Sequence, residues 1–263
     1  ELAIKKSIQN AEPNETILIA GKGHEEKQIY KNKIINISDK KIVKKIKVKT
    51  KISKKRYNFL HNRLILKQIL GKTKLVNFNG LSIDTRSIKK DNLFIAIKGK
   101  KNDGNKFVKQ AFKNKASIAV VNQVQKKSQT NRQIKVQNTL KFLTKASKIF
   151  RANIDTNIVA ITGSCGKTTL KELLGNSLRK ISKVSISPKS YNNKYGVPVS
   201  LLNLKENDNF GILEVGMDKK GEIDYLSKII QPDVSVITNI NFAHAKNFKN
   251  IKQIAIAKSE IIQ

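Results

Sequence analysis

Between residues 157 and 169 the chain reads Asn-Ile-Val-Ala-Ile-Thr-Gly-Ser-Cys-Gly-Lys-Thr-Thr, and these residue types in this order can hold a phosphate. Gly163 and Gly166 can adopt backbone angles barred to other residues, so the N–H groups of Ser164, Cys165 and their neighbours through Thr169 can turn inward on phosphate oxygens. Lys167 adds a mobile positive charge and Thr168 a hydroxyl suited to Mg²⁺. The chemistry this predicts is that of ATP. An ordinary P-loop carries a glycine five residues before its Gly-Lys pair, but here that place is Ile161, which leaves the shorter Gly-x-x-Gly-Lys-Thr-Thr. Cys165 occupies a variable place in the loop with no histidine near it in sequence, so it reads as a spacer and not as a nucleophile.

A phosphate loop needs a strand before it and a helix after it. Ile158–Ile161 is an apolar strand, and Thr169–Ile181 carries Leu170, Leu173, Leu174, Leu178 and Ile181 at helical spacing. The same beat continues. Strands are expected at Val184–Ile186, Phe210–Val215 and Val234–Ile240, and helices at Gly221–Ile230 and Ile251–Ile262. Alternation of this kind predicts a mainly parallel sheet covered on both faces, with ligands at the strand C-termini. Upstream, residues 57–150 form a second α/β unit, with strands at Leu81–Ile83, Leu93–Ile97 and Ile118–Val121 and helices at Asn105–Asn114 and Thr139–Phe150. Residues 1–48 are too few for a core of their own. They offer strands at Ile17–Ala20 and Lys33–Ile37, a glycine loop from Gly21 to Glu25, and a lysine-rich helix capped by Ser38 and Asp39. Lys44–Arg56 holds eight basic residues with little apolar content, so residues 49–56 read as a linker.

Composition narrows the setting. The formal charge is +34, yet of 53 basic residues only six are arginine, and the lysines are scattered through every segment. That pattern is a solvated lysine-rich surface and not a nucleic-acid footprint, and the absence of tryptophan leaves little for base stacking. One cysteine excludes an internal disulfide framework, and no run of about 18 apolar residues exists to span a membrane. Glu1–Gln9 reads as amphipathic helix and not as a signal peptide. A cytoplasmic, monomeric protein acting on small molecules, with no nucleic-acid or membrane partner, is expected.

The later strands deliver polar groups to the edge where phosphates would sit. Phe210-Gly211-Ile212-Leu213 leads into Glu214, and Val234–Ile240 is followed by Asn241 and His244. An anionic acceptor brought against a triphosphate needs concentrated positive charge, since two unit charges ~4 Å apart interact by ~4 kcal/mol at an effective dielectric near 20. Glu214 and Thr168 offer hard oxygen ligands for one Mg²⁺, and His244 is a softer donor for a second site.

Five stretches in order resemble the Mur ligases: Thr162–Thr169, Asn192–Pro198, Leu213–Met217 with Gly221–Ile223, Ile237–Ile240 with Ala243-His244, and Ala257–Ile261. Within that family the chain is most similar to the member that adds D-alanyl-D-alanine to UDP-N-acetylmuramoyl-tripeptide. The resemblance extends upstream through Asp84-Thr85-Arg86, Asp91–Ala96 and Asp103-Gly104 with Phe107, which look like the family's N-terminal domain. It implies an α/β fold in which residues 57–150 bind the uridine diphosphate end of the substrate, with Thr85 and Arg86 as contacts, and residues 151–263 form an incomplete ATP-binding domain. Lys167 would contact the γ-phosphate, Thr168 and Glu214 would ligate the first Mg²⁺, and His244 the second. Asn193, with Asn192, would position the nucleotide substrate. Lys258 would carry the family's carbamate, an anion that supports the metal site. The pair after the family histidine is commonly Leu-Glu, whereas Ala245-Lys246 follows here. The implied reaction phosphorylates the peptide's terminal carboxylate with ATP, after which the amine of the dipeptide displaces phosphate.

Residues 1–48 resemble another member. Ala20–Glu25 with Ile37–Lys41 look like the C-terminal end of the ligase that adds diaminopimelate, in which the positions of Gly21 and Glu25 touch the incoming amino acid. The expectation is a fragment spanning the junction of two fused ligases and inactive by itself. Three other readings stay open at this stage: a folylpolyglutamate synthase-like ligase, which shares the loop but not the upstream pattern, a basic nucleic-acid-binding NTPase, and a non-catalytic remnant.

Overall fold

The computed structural model describes residues 27–30, 33–36, 60–71, 78–99, 102–189, 191–205, 207–241 and 247–262. The chain divides into two compact units, Glu1–Lys54 and Lys55–Gln263. In the first, β1 (Lys27–Tyr30) pairs antiparallel with β2 (Lys33–Asn36). β2 falls where Lys33–Ile37 is expected. The expected strand at Ile17–Ala20, the Gly21–Glu25 loop, the helix after Asp39 and the linker at 49–56 lie outside the described residues.

The second unit begins with α1 (Leu60–Leu70), which the sequence pattern did not single out. A sheet follows, built from β3 (Leu81–Ser82), β4 (Leu93–Ile95), then, after α2 (Val108–Lys113), β5 (Ile118–Val121) and β6 (Gln133–Lys135). All pairs are parallel and the spatial order is that of the sequence. All four residues of β5 are buried, as a strand covered on both faces requires. Phe94, Ala119 and Val121 pack with Val108, Ala111 and Phe112 on one face, while Leu93, Ile95, Ile118 and Val120 join the larger core on the other. The helix expected over Asn105–Asn114 opens instead as a tight 3₁₀ turn, because the Asp103 side chain caps Gly104–Phe107 by accepting from the Asn105 amide. β6 is a fourth strand beyond the three expected.

α3 (Thr139–Arg151) leads into the second sheet, formed by β7 (Asn157–Thr162), α4 (Lys167–Arg179), β8 (Val184–Ile186), α5 (Gly196–Leu202), β9 (Phe210–Glu214), α6 (Glu222–Ile230), β10 (Val234–Ile237) and α7 (Ile251–Ser259). Its order is β10-β7-β9-β8, all parallel. β7 therefore lies between β9 and β10, and the C-terminal ends of all three converge. Alternate residues separate the faces. Val159, Ile161 and Ile212 pack under Leu170, Leu174 and Leu178 of α4, whereas Ile158, Ala160 and Leu213 face the main core. β10 stops three residues short of the expected end, because Thr238 and Asn239 turn to meet the loop after β7.

Both sheets share that main core, with Phe142, Leu143, Ala146 and Phe150 of α3 in it alongside Ile158, Leu201 and Leu226. Two polar devices fix the arrangement. Arg151 donates to the Ile230, Gln231 and Thr156 carbonyls and to Asp233, whose Oδ2 also accepts from the Ile158 amide at 2.6 Å. Asn203, just past α5, accepts from the Leu81 amide at 2.9 Å and donates to the Leu81 carbonyl at 2.9 Å. A side-chain amide thus stands in for a neighbouring strand on the open edge of β3. Asn203→Ala should lower the urea-unfolding free energy of the chain by about 2 kcal/mol, since it orphans two groups of a buried residue. Hydrogen exchange at the Leu81 amide should accelerate in step, and unchanged exchange there would remove this edge contact from the fold's supports.

Candidate functional site

The loop after β7 is shaped by its glycines and held from β10. Gly163 has φ +149°, and a Cβ there would lie 1.8 Å from Thr238 Oγ1. No other residue fits that place. Gly166, at φ +78°, turns the chain into α4. Asn239 holds the loop twice, accepting from the Ser164 amide on its carbonyl and from the Cys165 amide on Oδ1, both at 3.0 Å. Thr238 Oγ1 donates to the Cys165 carbonyl at 2.6 Å, and Ser164 Oγ exchanges hydrogen bonds with the Asn241 backbone. With Ser164 and Cys165 tied to Asn239, the amides left for an anion are those opening α4, where the helix dipole is positive. Lys167 Nζ folds back on the Gly163 and Ser164 carbonyls at 2.8 and 3.4 Å, one side-chain swing from a phosphate in the cradle.

Glu214 ends β9 beside the loop strand, in register with Ile161, and is buried. Its carboxylate accepts from Thr168 Oγ1 at 2.7 Å and from Asn192 Nδ2 at 2.9 Å, so three sequence-predicted site residues meet at one group. Its amide donates to Ser187 Oγ, and the Ser187 carbonyl accepts from Lys171 Nζ at 2.7 Å. Lys171 is fully buried under the site, a position nothing in its sequence neighbourhood marked among so many lysines. Among the described residues no ion pair neutralises Glu214. Two hard oxygen donors, a hydroxyl and a carboxylate, therefore stand together at the mouth of the anion cradle.

Lys258 reaches the same region from α7. It is 1% exposed, and no described residue accepts a hydrogen bond from its amine. Burial, reinforced by the charge of Lys167, pushes its pKa down from 10.5 to about 8. The following turn is anchored by Glu260, whose carboxylate accepts from the Gly221 and Asp224 amides and so caps α6 from a distant part of the chain. His244 and the Ala245-Lys246 pair after it lie outside the described residues, as do Gly21 and Glu25. No group of three or more His, Cys, Asp or Glu side chains gathers for a metal among the described residues.

The remaining candidates sit around this centre. Asn193 is exposed and accepts from the Tyr195 and Gly196 amides, opening α5, a helix the sequence reading missed and whose Pro198 is tolerated within the first turn. Thr85 and Arg86 lie past the C-terminal end of β3, with Arg86 89% exposed and its guanidinium on Asp84, which holds that carboxyl below the usual range. Asn239, Ser187 and Glu260 are the supports that sequence reasoning missed. Asn239 was visible within a resemblance motif but carried no assigned role.

Comparison with known proteins accords with this geometry. The Mur ligase middle domain profile matches residues 161–263, and that of the Mur ligase family catalytic domain matches residues 77–151. UDP-N-acetylmuramoyl-tripeptide--D-alanyl-D-alanine ligase of Bacillus subtilis is 37% identical over 187 residues, covering 70% of this chain and 40% of the relative. A crystal structure of MurF from Acinetobacter baumannii superposes with a TM-score of 0.66 at 33% identity, over 76% of this chain and 45% of that one. The MurF ligase of Thermotoga maritima, solved in complex with ADP, gives a TM-score of 0.60 at 32% identity, over 70% and 43%. The chain thus spans less than half the length of each of these three proteins.

The depressed pKa of Lys258 has a measurable sign. Between about pH 8 and 10.5 the unfolded chain keeps the Lys258 proton and the folded chain releases it, so this residue's contribution to stability rises with pH across that window. Below about pH 8 the full penalty of a buried ammonium applies. In bicarbonate-free buffer Lys258→Met should be more stable than wild type at about pH 7, and the difference should close by about pH 10.5. Urea denaturation of both proteins across this range checks it, and a pH-independent difference would contradict it.

Proposed function

Because the chain belongs to the Mur ligase family, we propose that it is part of an ATP-dependent ligase joining D-alanyl-D-alanine to UDP-N-acetylmuramoyl-tripeptide in peptidoglycan precursor synthesis. The observation that carries this reading is the Thr168–Glu214 pair at 2.7 Å beside a glycine loop whose Gly163 leaves no room for a Cβ. Residues 151–263 then hold ATP, residues 57–150 take the uridine end through the rim of Thr85 and Arg86, and residues 1–48 derive from the end of a preceding ligase, where Gly21 and Glu25 served diaminopimelate. The protein works in the cytoplasm as a monomer on small molecules.

In this reading the chain's own groups bind, orient and neutralise. The first amides of α4 and the Lys167 ammonium gather the phosphates, and Lys167 releases the loop carbonyls to follow charge onto the γ-phosphate. Thr168 and Glu214 fit Mg²⁺, which takes one or two carboxylates and completes its shell from phosphates and water. That ion, when bound, offsets the repulsion between a carboxylate acceptor and the triphosphate. Asn192 orients Glu214 by donating to its second oxygen, and Asn193 faces solvent where substrate would lie. Lys258, neutral more readily than an ordinary lysine, is placed to take up CO₂ as a carbamate, and His244 completes the second metal site.

In the intact protein, Lys167→Ala should lower ATP turnover that depends on both muramoyl tripeptide and D-alanyl-D-alanine by at least about a hundredfold. Glu214→Gln should lower it similarly and weaken the dependence on Mg²⁺ concentration. Phosphate release and product analysis measure both. Turnover within a few-fold of wild type in Lys167→Ala would remove the loop from the mechanism.

A further inference from the structure

Among the described residues one buried polar atom near the loop has no partner: the hydroxyl of Thr162, the last residue of β7 and 0% exposed. Lys258, 1% exposed, is the buried lysine of α7. Three observations bring the two together. In register, Ser235 pairs with Ala160 and Ile237 with Thr162, so these four side chains share one face of the sheet. That face looks toward α7, because Ser235 Oγ donates to the Ile261 carbonyl at 2.8 Å and Ile237 packs against the core holding Ile254 and Ala257. Lys258 precedes Ile261 by three residues, about 5 Å of helix, and α7 returns from the loop edge. A strand rises about 3.3 Å per residue, so the backbone of Lys258 stands between the levels of Val236 and Ile237, and Ile237 is the register partner of Thr162. The charge of Lys167, which opens α4 at the end of the loop after Thr162, also acts on the Lys258 amine, so the two ammonium groups lie within electrostatic range.

We propose that Thr162 is a positioning residue whose hydroxyl donates a hydrogen bond to a carbamate carried by Lys258. This rests on the reading of Lys258 given above and assigns the carbamate its holder. The carbamate forms when the neutral Nζ amine attacks CO₂: one N–C bond forms, one C–O π bond breaks to leave a carboxylate, and the amine releases a proton to solvent. The product carries two acceptor oxygens a little over 2 Å beyond Nζ, which lengthens the side chain and offers a hydroxyl an anionic acceptor. Water could satisfy the hydroxyl but would leave an ammonium buried. The carbamate satisfies both, replacing the buried cation by an anion next to Lys167.

The test is ¹³C NMR of the protein equilibrated with ¹³C-bicarbonate, following the carbamate carbon as CO₂ is varied. Lys258→Ala should abolish the signal. Thr162→Val keeps the shape, loses only the hydroxyl, and should raise the CO₂ level for half-occupancy roughly tenfold or more, the value of a hydrogen bond to a charged acceptor. Thr162→Ser should restore it. Thermal unfolding separates a merely structural role: Thr162→Val should be at least as stable as wild type without CO₂ and relatively less stable with it. No carbamate in the wild type overturns the Lys258 reading and this inference together. A Lys258-dependent carbamate whose midpoint is unchanged in Thr162→Val overturns this inference alone.

Discussion

A single buried carboxylate organises the site. Glu214 ends β9 with its two oxygens engaged by neutral donors, Thr168 from α4 and Asn192 from the segment before α5, and with its amide on Ser187. Neutral donors lower the cost of burying a carboxylate without cancelling its charge. That residual charge is what a hard cation would use. It also couples the elements, because moving β9, α4 or the Asn192 loop would break a bond to a buried charge, which costs more than a bond between neutral groups.

Around Glu214 the structure spends its polar groups on holding backbone in place. Asn239 ties down the loop from β10, and Glu260 caps α6 with both oxygens, so that the turn following Lys258 cannot drift without uncapping a helix. Arg151 performs the same service between α3 and the second sheet, and Asn203 between the segment after α5 and the first sheet. The cradle is consequently formed before any phosphate arrives, and binding need not order it.

What the sequence made legible follows from how far each signal reaches along the chain. Strands and helices with their own periodicity, such as Ile118–Val121 and Thr139–Arg151, were found nearly to the residue. The loop and Glu214 were legible because residue type and strand position both point to phosphate chemistry. α5 was not, since Gly-Val-Pro-Val-Ser-Leu-Leu is apolar all round and buried throughout, which leaves no amphipathic rhythm to read. Asn203, Asn239 and Glu260 act on backbone 36 to 122 residues away; Asn239 and Glu260 fall within resemblance stretches, yet nothing local shows which distant backbone any of the three holds. The division between residues 150 and 151 falls in the last turn of a helix whose core serves both sheets.

The overall charge of +34 says little about where an anion would bind, and burial explains why. Exposed lysines lie in high dielectric, and at physiological salt their fields fade within about 8 Å. Lys167 is partly shielded and Lys258 almost wholly so, and burial first, then the charge of Lys167, depresses the Lys258 pKa. Among the described residues neither amine has a carboxylate partner, so the two cations within electrostatic range of each other are left uncompensated. Their repulsion relaxes when an anion enters between them or when one of the two changes sign. In the proposed function a triphosphate in the cradle would do the first for Lys167, and a carbamate would do the second for Lys258. The two changes favour each other, because each removes part of the repulsion the other must overcome.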